Sequence, residues 1–500
     1  MLPDLANRFS LWVLRTPAAL GLFSGALLVA ASRVPGGWPL SFIALTPLLI
    51  AAMNAASRRQ AFFAGWLAGA PMMLAALWWL FDALPLPPIF GDIPFWLAIA
   101  TVGVSLTVLT IVFAALVGLW AVFAYEVRAW RFALPAAALS WLAFEYLRMV
   151  AYNLLTFAPD VWNPPFFSVG FIGYPLADSV SWLQLAAFGG VYALGLAAIV
   201  GNAIAYRAVM CRRPRLGILV VAIVLSVHFV PVASVVEALR DELPRRTLTV
   251  AALSLRTPGD ADPAVRAPAE TTTLDFVRQA SDAGADLVAL TEESNLFAPF
   301  SERTPYSAIG GRHRTVVVDS GTVLLEDGTR VRRAIAADTL GLDSGLLQDK
   351  RILTPKGEYL PTLLSSVFTA LGGEEHLDRF AAKRNYSLGR NGSPGTVAGV
   401  RISVLLCIEA MQPGLARQVV REQDSDLITI LASHAWFGTS PTLAQDTYRQ
   451  ARVQAVEAGV PVVRSADFAP AYIFDRYGRI LASGGFGEAP GMAVATLKIP

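Results

Sequence analysis

Three segments of the sequence place a reactive side chain at or near the end of an apolar or mixed run. A strand-like run at 400–406 ends at Cys407. Another run, at 286–290, precedes Glu292, and a later segment carries Lys350. A carboxylate can remove a thiol proton, an ammonium can stabilise an oxyanion, and a sulfur atom can carry an acyl group. Together these side chains meet the needs of acyl transfer through a covalent intermediate.

Cys407 is open to two interpretations. Free cysteines are among the most buried residues and behave as small hydrophobic groups, so this one could simply pack in a core. Alternatively, the chain turns after it into a predicted helix over 409–420, whose positive end favours thiolate and makes the sulfur a nucleophile. The acid and the lysine found upstream favour the second interpretation.

Lys350 is informative because lysine is rare in this chain. Nearly all of the 40 basic residues are arginine, and no lysine precedes this one. A solubilising role is therefore less expected here than a specific one. A surface lysine beside Arg351 is the alternative.

The motifs around these residues resemble the nitrilase superfamily, and within it the apolipoprotein N-acyltransferases. The shared features are the order Glu, Lys, Cys and four motifs: Asp-Lys-Arg followed by Pro-Lys-Gly-Glu-Tyr-Leu-Pro, Cys-Ile-Glu, Ala-Trp-Phe-Gly, and Gln-Ala-Arg-Val-Gln-Ala-Val-Glu-Ala-Gly. The resemblance implies an αββα sandwich. It also implies that Glu292 is the general base, Lys350 the oxyanion residue and Cys407 the acyl-carrying nucleophile.

The same resemblance implies supporting residues around the site. Glu358 matches a second glutamate that supports the site in the family, and Glu409 occupies the position two after the cysteine. Trp436 is a weaker candidate for substrate binding. Glu293 is rejected as the base, because the family motif places the acid directly after the residue matched by Thr291.

Composition divides the chain into two halves. With 55% hydrophobic residues, 16% charged residues and a mean hydropathy of +0.51, the chain is too apolar for an ordinary soluble protein. Runs long enough to span a bilayer occur near 17–34, 38–54, 61–81, 94–124, 132–152, 178–206 and 215–236. We predict a transmembrane domain of about seven helices over 1–245, followed by an α/β nitrilase-like catalytic domain over 246–500.

Arginines orient the predicted spans. Alternate connections carry Arg8, Arg15, Arg58, Arg59, Arg128, Arg131, Arg207, Arg212, Arg213 and Arg215. The opposite connections carry little beyond Arg33 and Arg148. By the positive-inside rule the arginine-rich loops are cytoplasmic, and an odd number of spans delivers the catalytic domain to the other side. The expected location is a bacterial inner membrane with an extracytoplasmic, periplasmic catalytic domain.

The membrane half offers two further candidate sites. Its segment 141–148 resembles a helix of the N-acyltransferases and contains Glu145 and Arg148, three residues apart on one helical face. An ionisable pair at membrane depth predicts function, although a local ion pair at the head-group level is equally open. The aromatic connection 151–177 is either a lipid access path or an ordinary aromatic belt.

Several classes of partner are not expected. A net charge of +2 argues against nucleic acid, and the four histidines lack metal-ligand spacing, so we predict no metal and no cofactor. The two cysteines, Cys211 and Cys407, are predicted on opposite sides of the membrane and so cannot form a disulfide with each other.

The sequence also departs from the family pattern. Ile408 stands where tyrosine is usual, Lys356 replaces an expected phenylalanine, and Ser433-His434 stands where Asn-Asp is usual. The chain ends directly after the predicted final strand, where family members usually carry one more membrane helix. These differences indicate a divergent member.

The resemblance implies a membrane acyltransferase. Its acyl donor would be a phospholipid, its intermediate a thioester on Cys407, and its acceptor the N-terminal amine of a lipoprotein's diacylglyceryl-cysteine. Two alternatives remain open. One is a membrane-bound amidase or hydrolase that uses the same triad on another amide, and the other is an inactive paralogue that acts in binding or assembly.

Overall fold

The computed structural model describes residues 16–85, 94–240, 246–257, 263–297, 313–339, 343–370 and 374–499. The chain forms two compact units. The first comprises Met1–Trp78, Thr101–Tyr152 and Phe167–Val235, and the second comprises Trp79–Ala100, Asn153–Phe166 and Val236–Pro500. The predicted boundary between 245 and 246 adjoins residues 241–245, which lie outside the described ranges. The division into domains 1–245 and 246–500 stays a prediction.

Apolar helices dominate the amino-terminal half. In chain order they are α1 Pro17–Arg33, α2 Thr46–Met53, α3 Arg58–Leu77, α4 Phe95–Val127, α5 Ala133–Leu155, α6 Val180–Leu183, α7 Ala186–Met210, α8 Pro214–Phe229 and α9 Val232–Arg240. Proline occupies the first turn of α1, α2 and α8, where its missing N–H has no helical partner to lose.

Some of these helices can cross a membrane. Among the described residues, Arg58–Ala83, Ala98–Val127 and Ala186–Met210 are long and apolar enough, and the bent pair α8 and α9 provides a fourth candidate. Each of the seven runs identified in the sequence contains a helix. The number of seven spans stays a prediction.

Glycine allows α1 and α3 to pack closely. A Cβ atom added to Gly21 would lie 2.2 Å from the carbonyl oxygen of Ala64, and one added to Gly25 would lie 2.7 Å from that of Ala68. Small residues at these positions therefore let the two backbones touch, which is a common way for apolar helices to associate.

Two arginines mark opposite ends of the helical unit. Arg58, at the start of α3, pairs with Glu126 near the end of α4 at 2.6 Å. Arg33, at the end of α1, donates to the carbonyl oxygen of Ala76 near the end of α3 at 3.4 Å. The connections that carry Arg58 and Arg128 therefore share one end of this unit. Arg8 and Arg15 lie outside the described residues.

A mixed sheet forms the core of the second unit. Its strands are β1 Arg246–Leu255, β2 Leu287–Ala289, β3 Val316–Leu324, β4 Arg330–Asp338, β5 Asp343–Asp349, β6 Gly392–Ser393, β7 Gly395–Val397, β8 Val400–Leu406, β9 Leu427–Ser433, β10 Val462–Asp467, β11 Ala471–Phe474, β12 Ile480–Gly484 and β13 Gly491–Ile499. The strand order is β6-β5-β4-β3-β2-β1-β10-β9-β8-β7, with β13 beside β1 and β11 beside β10. The strands from β3 through β8 in this order are parallel.

The second unit also contains helices, of which those that begin at Pro263, Leu415 and Pro441 contact the sheet. They are α10 Pro263–Asp282, α11 Thr362–Ala370, α12 Glu374–Arg384, α13 Leu415–Gln423 and α14 Pro441–Ala458. Alternate residues of β1 point to opposite sides, as a strand requires. Val250 joins an inner core shared with β4, β8 and β9, whereas Ala251 packs with Val277 of α10. Two sheet layers therefore enclose one core with helices outside, and the predicted fold class is confirmed.

The helix predicted over 409–420 is corrected by the structure. Cys407–Met411 forms a short 3-10 turn, and α13 begins only at Leu415. Pro413 lacks a backbone N–H, and Gly414 adopts a left-handed φ of 86° just before α13. The chain therefore cannot continue as one helix from the cysteine.

Candidate active site

Strand direction explains how the predicted residues come together. Because β4 is antiparallel to both β3 and β5, β5 runs in the same direction as the parallel strands. Glu292, Lys350 and Cys407 therefore all follow the carboxyl ends of strands that point the same way. The strand β5 also contacts β8 directly. This contact brings the lysine and the cysteine segments to one place.

Lys350 lies at the centre of a buried charge cluster. Its ammonium donates to a carboxylate oxygen of Glu292 at 2.8 Å and to one of Glu358 at 2.9 Å, and its side chain is only 1% exposed. Burial alone would lower the pKa of this lysine, but the two carboxylates more than offset burial and raise the pKa above its ordinary value. The side chain stays charged, as an oxyanion-stabilising group must.

Glu358 is fixed by several donors. One oxygen accepts from the backbone N–H of Thr354 at 2.7 Å, and the other accepts from Nε of Arg332 at 3.2 Å. Burial by itself would raise the pKa of Glu358, but Lys350 and Arg332 outweigh it, so the pKa lies below its ordinary value. Glu358 is therefore an ionised partner that holds Lys350 in place.

Cys407 directly follows β8 in a strained conformation. Its φ of 49° is in the left-handed region, which is unusual for a residue other than glycine. The half-buried thiol lies 3.8 Å from the carbonyl oxygen of Ser433. Burial raises the pKa of the thiol to about 12, with a further contribution from Glu292 and an opposing one from Lys350.

This pKa corrects the expectation of a thiolate at a helix terminus. The 3-10 turn after Cys407 is too short to supply the dipole of a regular helix, and burial penalises the charged form of sulfur. The thiol is therefore protonated at neutral pH, and a base must remove its proton before it can attack.

Glu409 connects the lysine and cysteine segments. One carboxylate oxygen accepts from the backbone N–H of Leu406 at 2.7 Å, and the other accepts from the backbone N–H of Arg351. The side chain is fully buried, and burial raises its pKa to about 7. Glu409 thus links the residue before Cys407 to the residue after Lys350.

The two successive glutamates face different partners. Glu292 contacts Lys350, whereas Glu293, with a φ of 62°, pairs with Arg332 and with Arg384 at 2.8 Å. Only the first lies near the thiol and affects its pKa. This geometry agrees with the choice of Glu292 rather than its neighbour as the candidate base.

The aromatic connection contributes a residue that the sequence did not single out. Asn163 forms two hydrogen bonds with the backbone of Leu353, accepting its N–H at 2.9 Å and donating to its carbonyl at 2.8 Å. Nearby, the hydroxyl of Tyr359 donates to the carbonyl oxygen of Thr156 at 2.8 Å. The segment 153–166 therefore holds the loop between Lys350 and Tyr359. A single asparagine among aromatic and proline residues gives no sequence signal for this role.

The weaker candidates are divided between the two units. Trp436 lies near the charge cluster, since the guanidinium of Arg384 is 5.9 Å from its ring centre. Glu145 and Arg148 belong to the first unit, where they pair at 3.5 Å.

Both members of this pair also bind the backbone of a neighbouring segment. Glu145 accepts from the N–H of Ile172 at 2.8 Å, and Arg148 donates to the carbonyl of Gly170 at 3.2 Å. These contacts describe a structural brace, and a role in substrate binding stays a prediction.

Comparison with known proteins agrees with the sequence motifs. Residues 24–204 match the family model described as the apolipoprotein N-acyltransferase N-terminal domain. An apolipoprotein N-acyltransferase of Geobacter metallireducens is 27% identical over 92% of this chain and 85% of its own length. One from Agrobacterium fabrum is 26% identical over 88% of this chain and 80% of its own. The chain is therefore similar to apolipoprotein N-acyltransferases over most of its length.

The comparison with solved structures gives matches that cover about half of this chain. A nitrilase-superfamily amidase from Nesterenkonia is 17% identical, with a TM-score of 0.37 over 51% of this chain and 93% of its own. A carbon-nitrogen hydrolase from Helicobacter pylori is 14% identical, with a TM-score of 0.36 over 50% of this chain and 89% of its own.

Proposed function

We propose that this protein is a membrane acyltransferase that N-acylates lipoproteins. It would move a fatty acyl chain from a phospholipid to the N-terminal amine of a diacylglyceryl-cysteine. The observation that carries the proposal is the buried ammonium of Lys350, held between Glu292 and Glu358 beside the thiol of Cys407. Its similarity to apolipoprotein N-acyltransferases over most of the chain supports the choice of substrates.

The first half-reaction loads the thiol. Glu292 takes the thiol proton while the sulfur of Cys407 attacks an ester carbonyl of the phospholipid. The carbonyl oxygen becomes an oxyanion beside the ammonium of Lys350. When the intermediate collapses, the C–O bond breaks, the lysophospholipid alcohol leaves with the proton from Glu292, and a thioester remains.

The second half-reaction transfers the acyl group to nitrogen. The acceptor amine attacks the thioester carbonyl and loses a proton to Glu292, and Lys350 again stabilises the oxyanion. The C–S bond then breaks, the sulfur is reprotonated from Glu292, and an amide is released. The amide is more stable than the thioester, so the second step proceeds forward.

Both substrates are anchored in a bilayer, which fits a catalytic unit tethered to membrane helices. Tethering replaces a search through bulk solution with a local search at the surface. We place the protein in a bacterial inner membrane with its second unit on the periplasmic side, because the arginine-rich connections are expected to remain cytoplasmic.

Mass spectrometry of the purified protein tests the proposal. After incubation with phospholipid vesicles, the wild type should carry an acyl adduct on Cys407. Addition of a diacylated lipopeptide with a free N-terminus should remove the adduct and yield the N-acylated peptide. The Cys407→Ser variant should lose about three orders of magnitude or more of activity, because a hydroxyl is a far weaker nucleophile in this setting.

An N-acetylated lipopeptide is the matched control, since it differs only in lacking the free amine. It should leave the adduct in place. Full transfer activity in Cys407→Ser would exclude the thioester mechanism. Hydrolysis of small amides without any lipid adduct would instead support the amidase alternative.

A further inference from the structure

A polar cavity of about 200 Å³ lies beside Glu292 in the second unit. Its wall includes the side chains of Arg266, Arg332, Arg384 and Ser433, and among the described residues Ala435 is its only aliphatic lining residue. Pockets that hold drug-sized ligands are typically about 300–1,000 Å³ and mostly apolar. This cavity is therefore suited to a small polar group and not to a fatty acyl chain.

The charges of the wall favour an anion. Four cationic side chains and three carboxyl groups line the cavity. Of the carboxyl groups, Glu292 is already paired with Lys350, which is not itself part of the wall, and burial raises the pKa of Asp467 to about 7. At neutral pH the positive charges therefore exceed the negative ones, and an ammonium group would be disfavoured.

Two of the arginines are held ready for a ligand. Arg332 and Arg384 are buried, and both pair with the carboxylate of Glu293, while Arg332 also donates to Glu358 at 3.2 Å. A planar guanidinium whose position is already fixed loses little conformational freedom when it binds an anion with two oxygens, such as a phosphodiester. The glutamate rejected as the base thus has a separate role, as the group that orients these arginines.

Arg266 supplies an unused donor. Its Nη2 donates to the carbonyl oxygens of Glu293 and Ser294, both at 3.2 Å. Its Nε is buried and has no hydrogen-bond partner in the part of the chain that the structure describes. A buried donor without a partner is costly and indicates that a ligand or solvent completes its bonding.

We propose that this cavity binds the phosphate of the phospholipid acyl donor, through Arg266 together with Arg332 and Arg384. This inference rests on the proposed function and specifies which part of the donor is recognised. The ester carbonyls and the phosphate of a glycerophospholipid share one glycerol unit. When an ester carbonyl lies at Cys407, the phosphate is therefore only a few bonds away from that carbonyl. The cavity lies beside Glu292, the candidate base for the same cysteine.

Two donors that differ only in the phosphate test the proposal. Acyl loading of Cys407 is measured with dipalmitoylphosphatidic acid and with dipalmitoylglycerol, using the full chain in detergent. Arg266→Gln should lower kcat/KM about ten- to hundredfold for the first donor, mainly through KM, because it removes a charged hydrogen bond. Loading from dipalmitoylglycerol should not change. Arg266→Lys should partly restore loading from the donor that carries the phosphate.

Arg278→Gln is the matched control, because Arg278 is an exposed arginine on the same helix that pairs with Asp275 outside the cavity. This variant should load from both donors as the wild type does. Equal losses with both donors in Arg266→Gln, or no loss with either, would overturn the proposal. Thermal unfolding of each variant identifies any loss that is due to misfolding.

A binding measurement separates this proposal from the proposed function. Glycerol 3-phosphate should bind the wild type and Arg278→Gln with equal affinity. It should bind Arg266→Lys more weakly and Arg266→Gln most weakly. If neither lipid loads Cys407 but this pattern of binding is found, the proposed function fails and the phosphate site stands. Equal binding to all variants, or no binding to the wild type, shows that no such site exists.

Discussion

At the scale of single residues, the reactivity of Cys407 depends on burial and on two opposite charges. Burial and the carboxylate of Glu292 raise the pKa of the thiol, whereas the ammonium of Lys350 lowers it. In the resting state the thiol is therefore protonated and lies beside the candidate base. The same carboxylate that suppresses the free thiolate is the group that can accept the proton during attack.

Replacing Glu292 should separate these two effects. In a Cys211→Ser background, Glu292→Gln should reduce acyl loading of Cys407 by about two to four orders of magnitude, because the amide cannot accept a proton. The thiol pKa should fall at the same time, because a negative charge near the sulfur is removed. Iodoacetamide alkylation measured as a function of pH should therefore shift to lower pH.

Glu293→Gln is the comparison variant. It should leave the pH dependence of alkylation unchanged, because its carboxylate pairs with Arg332 and Arg384 and not with the thiol. It should unfold at a lower temperature, since two buried arginines lose a carboxylate partner. A thiol pKa that rises in Glu292→Gln, or a greater loss of loading in Glu293→Gln, would contradict the assignment of the base.

At the scale of elements, the loop that follows β5 is held from two sides. Glu409 fixes its start through Arg351, and Asn163 fixes its middle through Leu353. The side-chain amide of Asn163 provides one donor and one acceptor, as a paired strand would. The next residue, Thr354, donates its backbone N–H to Glu358, so this anchoring extends to the carboxylate that holds Lys350.

Replacing Asn163 should lower both the stability of the protein and its acyl-loading activity. Asn163→Ala removes two buried hydrogen bonds with Leu353 and a longer one to Tyr359, so the free energy of unfolding should fall by about 1–3 kcal/mol. Acyl loading should fall about tenfold or more through kcat, because small displacements of catalytic groups are costly. Asn153→Ala, which loses only a bond to the carbonyl of Asn163 at 2.7 Å, should have a smaller effect on both. Loading equal to that of the wild type in Asn163→Ala would contradict a positioning role.

These elements show what the sequence could and could not provide. The placement of Glu292, Lys350 and Cys407 together was predictable, because each follows a run that ends at the same edge of a parallel sheet. The raised pKa of the Cys407 thiol could not be predicted, because it depends on burial and on a short turn that ends at Met411. Asn163 was not predictable either, since it is 190 residues from its partner and no local pattern marks the contact.

At the scale of the whole molecule, charge distinguishes the two ends of the helical unit. The ion pair of Arg58 with Glu126 places two arginine-bearing connections at one end. Arg33 lies at the opposite end of the first helix pair, beside Ala76. This arrangement within the first unit agrees with the alternation of arginines along the sequence, which by the positive-inside rule predicts a cytoplasmic arginine-rich end.

Reporter fusions test the resulting orientation. Alkaline phosphatase, which folds only in an oxidising compartment, should be active when fused at the carboxyl terminus and inactive when fused after Arg213. The physical reason is that loops rich in arginine resist translocation, so the predicted odd number of spans is expected to carry Cys407 to the periplasm. A cytoplasmic reporter such as green fluorescent protein fused at the same two positions provides the reciprocal control. If the carboxyl-terminal phosphatase is inactive while that fluorescent fusion is bright, the thiol lies in the cytoplasm and a periplasmic lipoprotein cannot be its acceptor.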